Sequence, residues 1–195
     1  MTKVVGDISV SLDGFVTGPD PDVEHGLGHG GEAIHDWVMN GDATDAQVLA
    51  ETTDATGAVI MGRTLFDIVD GPHGWNEEMG YGATEVGTQP IFVVTRNPPE
   101  KTRLGDRFTF VVDGIGSAVS KAAVVADDRD VVIMGGAAVI RSALEAGLLH
   151  ELRLHISPVI VGSGTPLFAG NAPRALRQIH VRPSGHAVHV TYRVD

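Results

Sequence analysis

Val4, Ile8, Val10 and Leu12 fall on one parity, the period-two spacing of a strand with an inward face, and the run stops at Asp13-Gly14. Short apolar runs recur at Ala58–Met61, Pro90–Thr95, Phe108–Asp113 and Val131–Met134. Compact runs of this kind, bounded by glycine and proline, predict strands covered on both faces. Helical stretches lie between them. Thr44-Asp-Ala-Gln47 has capping-box spacing and predicts a helix to about Thr53, Thr64 opens a brief helix stopped by Gly71-Pro72, and Ser117 caps another to about Ala126. A fourth runs from Ala137 to Ala146, with Gly147 as its stop. After Gly147 only strands follow, at Glu151–Val161, Ala175–Arg182 and Ala187–Val194. The segments Thr17–Gly41 and Gly71–Gly87 are rich in glycine and read as loops, with a helical turn around Ile34–Val38. Eight strands and four helices in this order predict an α/β fold: a mostly parallel sheet with an antiparallel C-terminal edge, forming one domain over residues 1–195.

The 195 residues suit one domain with a real core, and the complete lack of Cys excludes disulfides, thiolate metal sites and a Cys nucleophile. Lack of Cys also fits a reducing compartment, and Asp7 interrupts the place where a signal peptide needs its apolar stretch, so a cytoplasmic protein is expected. No apolar run approaches the ~18 residues of a membrane helix. A net charge of −11 argues against nucleic acid or an anionic membrane as partner. An anionic cofactor would therefore need a few placed cations and backbone N–H groups.

Such groups recur at predicted strand ends. Val131–Met134 delivers Gly135-Gly136 to the first turn of a helix, where a phosphate can approach the backbone and meet free N–H groups. Ala58–Met61 ends in Gly62-Arg63-Thr64, an arginine and a hydroxyl at a strand-to-helix corner, although Asp67 offers Arg63 an alternative partner. Pro90–Thr95 ends with Thr95 and Arg96. In a parallel sheet these ends share one edge, where ligands bind. Two arginines there favour a dinucleotide with a 2′-phosphate, hence NADPH over NADH.

The strings Ser11-Leu-Asp-Gly-Phe15, Val59-Ile-Met-Gly-Arg-Thr64, Val94-Thr-Arg-Asn-Pro98, Met134-Gly-Gly-Ala-Ala-Val139 and Gly162-Ser-Gly-Thr-Pro-Leu-Phe168, in this order, resemble the dihydrofolate reductase-like superfamily. Within it, the chain is most similar to the reductase (RibD C-terminal) half of the bacterial deaminase–reductases of riboflavin biosynthesis. The resemblance implies a three-layer fold with NADPH laid across the C-terminal edge of an eight-stranded sheet. It implies Gly62, Arg63, Thr64, Thr95 and Arg96 on the adenosine-phosphate side. Gly135, Gly136, Ala137, Ala138, Val139 and Ile140 would hold the pyrophosphate and nicotinamide ribose. Ser11, Asp13 and Gly14 would lie near the nicotinamide, and Gly162 and Thr165 would line the crevice. The implied activity is hydride transfer to a C=N bond of a small heterocyclic substrate, as in 5-amino-6-(5-phosphoribosylamino)uracil reductase. The deaminase half needs cysteines that this chain lacks. Relatives pair, so a homodimer is expected.

Dihydrofolate reductases carry a carboxylate on the helix before the Met-Gly-Arg strand, a place that falls on Ala46 with Asp45 beside it. Asp45 reads as a helix cap. Asp13 and Asp36 are then the candidate proton donors, with ordered water as the alternative, and Trp37 and Trp75 read as core or as a stacking platform for a flat ring. Gly26-Leu-Gly-His-Gly-Gly31 matches the G-x-G-x-x-G pattern but follows no strand. His25, His29 and His35 have no ordinary zinc spacing, so no metal is expected, and His155 reads as a satisfied core or interface histidine. Two other readings remain open: an orphan or dihydrofolate reductase-like enzyme acting on another heterocycle, favoured by the long 18–41 loop, and an NADPH-binding module without catalysis.

Overall fold

A computed structural model describes residues 2–83 and 87–195, so residues 84–86 of the glycine-rich stretch 71–87 lie outside it. The elements run β1 (Val4–Ser11), β2 (Phe15–Thr17), a 3-10 turn (Gly31–His35), α1 (Asp36–Met39), α2 (Ala43–Ala55), β3 (Thr56–Gly62), α3 (Arg63–Val69) and β4 (Ile91–Val94). They continue with a second 3-10 turn (Gly105–Arg107), β5 (Phe108–Val111), α4 (Gly114–Ala126), β6 (Asp130–Gly135), α5 (Ala137–Glu145), β7 (Glu151–Ser157), β8 (Thr165–Pro166), β9 (Leu176–Pro183) and β10 (Val188–Val194).

Eight strands form one sheet in the order β5-β4-β3-β6-β1-β7-β10-β9. The six from β5 to β7 are parallel, and β10 runs antiparallel to both β7 and β9. This is the predicted architecture. Every residue of β3 is buried, and alternate residues serve opposite layers. Ala58 and Ile60 pack with Ala118, Ala122 and Ile140, whereas Val59 and Met61 pack with Phe66, Val69 and Phe108. Helices α4 and α5 thus cover one face, and α3 covers part of the other.

Several local expectations need correction. The capping box of α2 is Asp42 with Asp45, not Thr44 with Gln47: Asp42 Oδ1 accepts from Thr44 N and Asp45 N, and Asp45 Oδ2 accepts from Asp42 N at 2.8 Å. Asp is as good an N-cap as Thr, and two residues earlier it reaches the same free N–H groups. Helix α4 begins at Gly114, so Ser117 lies inside it. The helical turn expected near Ile34–Val38 is a 3-10 turn leading into the four-residue α1, which brings the α-helices among the described residues to five. Strand β7 stops at Ser157 rather than Val161, because the chain beyond folds onto the β1–β2 turn. There, β2 and β8 form a small second sheet that the sequence did not announce.

Candidate active site on the carboxyl edge of the sheet

The parallel strands bring Val111, Val94, Gly62, Gly135, Ser11 and Ser157 to one edge, so the predicted strand ends do converge. Gly136 is the N-cap of α5, no side chain caps that helix, and a Cβ on Gly136 would meet nothing within 4 Å. The start of α5 therefore has open space beside Gly136, with exposed Ala138 in its first turn and Ala137 buried in the core beneath, and a helix start carries free N–H groups and a partial positive charge. Ile140, by contrast, is fully buried, and its N–H bonds to Gly136 O at 3.3 Å. It supports the helix from beneath.

Thr95, Arg96 and Val139 line a cavity of about 300 Å³ together with Val112, Gly114, Ile115 and Ser142. The last four were not expected. They come from the ends of β5 and the faces of α4 and α5, which carry no local motif. Arg63 donates from Nε to Asp67 Oδ1 at 2.7 Å and from a terminal nitrogen to Asn97 O. The alternative partner foreseen for it is thus engaged, and its guanidinium joins α3 to the turn that carries Arg96. Among the described residues Arg96 forms no ion pair. Thr64 follows Arg63 in the first turn of α3.

Ser11 and Gly14 build the turn after β1. The buried Ser11 hydroxyl accepts from Phe15 N at 2.9 Å, and Gly14, at φ +90°, donates to Ser11 O. Asp13 reaches across this turn to accept from Gly162 N at 2.8 Å and Val161 N at 3.2 Å. The Ser11 hydroxyl first, and these backbone donors with it, hold the Asp13 carboxyl below the usual range. Thr165 N donates to Thr17 Oγ1 at 3.2 Å. Gly162 and Thr165 thus belong to the strap that closes over the β1–β2 turn, and Asp13 is its tie.

Asp36 lies elsewhere. It accepts from Asn40 at 2.7 Å and pairs with His186 at 2.9 Å, and these partners, Asn40 foremost, keep its carboxyl low. Asp36 is not among the residues that line the large cavity, although its neighbours His35 and Trp37 are.

That cavity holds about 430 Å³ on the sheet face away from α4 and α5. Its floor is Asp7, Ile8, Ser9, Val132, Met134 and His155, and Trp37, Trp75, Tyr81, Leu27, Glu32 and His35 close around it. Trp37 stacks on His155 with ring centroids 4.2 Å apart, and its Nε1 donates to Ser9 Oγ at 2.9 Å. Both tryptophans therefore serve the cavity wall and the packing at once. Nδ1 of His35 is buried without a hydrogen-bond partner. Burial first, then the His155 charge, pull the His35 imidazole down to about 4, so it is neutral at pH 7.

The polar floor went unread in the sequence. Asp7 pairs in register with Arg153, Ser9 with His155, and His189 with His155, so five polar residues from β1, β7 and β10 share one sheet face. The available signal was parity: Asp7, Ser9 and Ser11 alternate with apolar residues, as do Arg153, His155 and Ser157. His155 is buried and fully partnered, as expected of a core histidine, but it also lines the cavity. Asp45 caps α2 as expected and in addition accepts from His189 and Ser184. Among the described residues no cluster of His, Asp and Glu has the geometry of a metal site, and no helix is long and apolar enough to cross a membrane.

An open α/β sheet, parallel but for its antiparallel C-terminal edge, with a glycine-lined carboxyl edge beside an aromatic-walled cavity, is a fold of the dihydrofolate reductase-like kind. Residues 2–190 match the family described as the RibD C-terminal domain, and the chain belongs to that family. It is 27% identical over 199 residues to the uncharacterized protein YyaP of Bacillus subtilis (strain 168), across 97% of this chain and 94% of that protein. Among solved structures, a candidate riboflavin biosynthesis protein from Shewanella sp. PV-4 superposes with a TM-score of 0.69 at 19% identity, covering 100% of this chain and 99% of that one. A pyrimidine reductase-like protein from Corynebacterium diphtheriae gives 0.63 at 18% identity, covering 100% and 92%. The deaminase/5-amino-6-(5-phosphoribosylamino)uracil reductase of Thermotoga maritima gives 0.63 at 16%, and there this chain covers 57% of the longer protein. At these identities the structures speak for the fold.

Proposed function

We propose that this RibD C-terminal, reductase-like domain is an NADPH-dependent reductase that acts on a C=N bond of a flat heterocycle. The reading is carried by the contiguity of two features: the uncapped start of α5 at Gly136 and the 430 Å³ aromatic-walled cavity reach the same carboxyl edge of β6. The residues fit the cofactor. Gly136 leaves room for a pyrophosphate, the smaller cavity takes an adenosine beside Val139 and Ile115, and Arg96, which forms no ion pair among the described residues, supplies a cation for the 2′-phosphate, with Arg63 alongside. When bound, NADPH supplies the hydride. The protein's share is orientation and exclusion of water: the strap at Gly162–Thr165, tied by Asp13, covers the turn at Ser11–Gly14.

One observation separates the riboflavin intermediate from other acceptors. That intermediate carries a phosphate, which calls for Lys or Arg. The described residues that line the large cavity include Asp7 and Glu32 but neither Lys nor Arg. This favours an unphosphorylated heterocycle over the riboflavin precursor, and so the orphan-reductase reading. NADPH oxidation should be followed with the phosphoribosylamino-pyrimidine, its dephosphorylated form and dihydrofolate. The dephosphorylated compound is expected to have at least about tenfold higher kcat/KM than its phosphate ester. A clear preference for the ester overturns this choice of acceptor, and stabilisation by NADPH without turnover of any acceptor favours a binding module.

A further inference from the structure

Asp7, His155, His189 and Asp45 form a continuous buried chain. His155 Nε2 lies 3.0 Å from Asp7 Oδ1, the two Nδ1 atoms lie 2.7 Å apart, and His189 Nε2 lies 2.9 Å from Asp45 Oδ1. Each link needs one proton. Ionised carboxylates only accept, so both Nε2 atoms carry hydrogen, and the contact between the Nδ1 atoms requires one more. Two neutral imidazoles hold two protons, so filling all three links at once calls for a third. A third proton would sit between the carboxylates of Asp7 and Asp45, with Arg153 balancing Asp7 at 2.7 Å.

We propose that this histidine pair is a proton store for the reaction, and that Asp7, whose side chain lines the large cavity, is the catalytic residue that hands the stored proton to the substrate nitrogen. The inference rests on the reductase reading. As hydride adds to the acceptor carbon and the C=N π pair moves to nitrogen, Asp7 Oδ1 takes the Nε2 proton of His155 and gives it to that nitrogen, forming N–H. His155 keeps its Nδ1 hydrogen and becomes neutral. Water admitted as product leaves restores the lost proton. His155 and His189 act through Asp7, and Asp45 holds His189, so these three are positioning residues.

Two features bias the proton toward the cavity. Burial, then the His155 charge, lower the affinity of His189 for protons, and Trp37 presents its ring face to His155 at 4.2 Å. Burial would raise the Asp7 carboxyl, but His155 and Arg153 outweigh it and hold it at about 2, so Asp7 rests as a carboxylate and carries a proton only in passing. Among the described residues, the other titratable or charged groups around the chain are His35 from the 3-10 turn, Tyr81 near Asp7 and Arg153, Asp130 at the start of β6 near Arg153, Arg182 on β9, and Asp42 and His186 beside Asp45.

The test has two arms on the full chain. In protein labelled with ¹⁵N-histidine, one low-field proton signal should correlate with Nδ1 of both His155 and His189, and vanish in His189→Gln and in His155→Gln. Absence of a shared signal in the wild type overturns the store whatever the turnover. In single turnovers with NADPH, the rate should fall as pH rises through the loss of the stored proton. His189→Gln should move that limb at least about one pH unit lower and cut the rate about tenfold, with little change in KM. Asp45→Asn, a near-isosteric change, should move it the same way. An unmoved limb in folded variants overturns delivery through Asp7. A shared signal in a protein that turns over no acceptor sinks the reductase reading and, with it, the delivery step, and leaves the store standing.

Discussion

Arg63 and Asp67 face each other across one turn of α3 with Nε and Oδ1 2.7 Å apart, so the arginine nearest the glycine corner already has a carboxylate partner. Arg96, without one, should then contribute more to recognition of a 2′-phosphate. Charge-assisted hydrogen bonds contribute roughly 1.5–3 kcal/mol, or about tenfold or more in affinity. Arg96→Ala is expected to weaken NADPH binding by about that factor and Arg63→Ala by less, with NADH affected little by either. Calorimetric titration with both nucleotides checks this, and equal losses for both would displace the phosphate from this corner.

Asp13 joins two segments far apart in sequence through Gly162 N and Val161 N. Asp13→Ala removes both acceptors while leaving the exposed turn intact. Limited proteolysis should cut the 158–164 strap faster in the variant, and NADPH should protect it less well. Unchanged cleavage would mean that the β2–β8 ribbon alone holds the strap.

Gly62 has an ordinary backbone conformation, but a Cβ there would come within 2.6 Å of Val139 Cγ2. Gly62→Ala should therefore destabilise the fold by about 1–3 kcal/mol through overpacking. Val139→Ala in the same chain should recover most of that loss. A double-mutant cycle in urea measures the coupling, and additive losses would refute the contact.

Acid should act in two windows. His35 is held at about 4 in the folded protein against 6.5 when free, so the unfolded chain binds more protons between these values and stability falls as pH drops from 6.5 to 4, by up to about 3 kcal/mol. Asp7 is held at about 2 against 3.8, so its contribution, about 2 kcal/mol, is present above 3.8 and lost as pH falls toward 2. His35→Gln should flatten the first window and leave the second. Denaturation midpoints at pH 7, 5 and 3 separate them.

The sheet and the convergence of its strand ends were legible because their signals are local: apolar runs ending in Gly62-Arg63, Thr95-Arg96 and Gly135-Gly136 each declare a strand end in a few residues. The donor candidates were not. The sequence puts forward Asp13 and Asp36, and the structure places them as a loop tie and a histidine partner. Asp7, His155 and His189 sit singly in separate strands, and only the registers of β1, β7 and β10 bring them together. Side-chain parity hints at such a face, but register is a tertiary property. The β2–β8 ribbon escaped for a similar reason, since pieces of three and two residues hold too little pattern to read.

The position of β1 has a consequence for how the molecule comes into being. Its hydrogen-bonded neighbours are β6 and β7, which begin at Asp130 and Glu151, and the ribbon over its far end awaits Thr165. Strand β1 thus leaves the ribosome well before the strands that flank it in the sheet, and is inserted between members that emerge much later. Parallel insertions with such long chain separations are slow to form. A nascent chain halted before Asp130 lacks both edges that β1 needs, so nucleotide-binding competence should arise late in synthesis and abruptly.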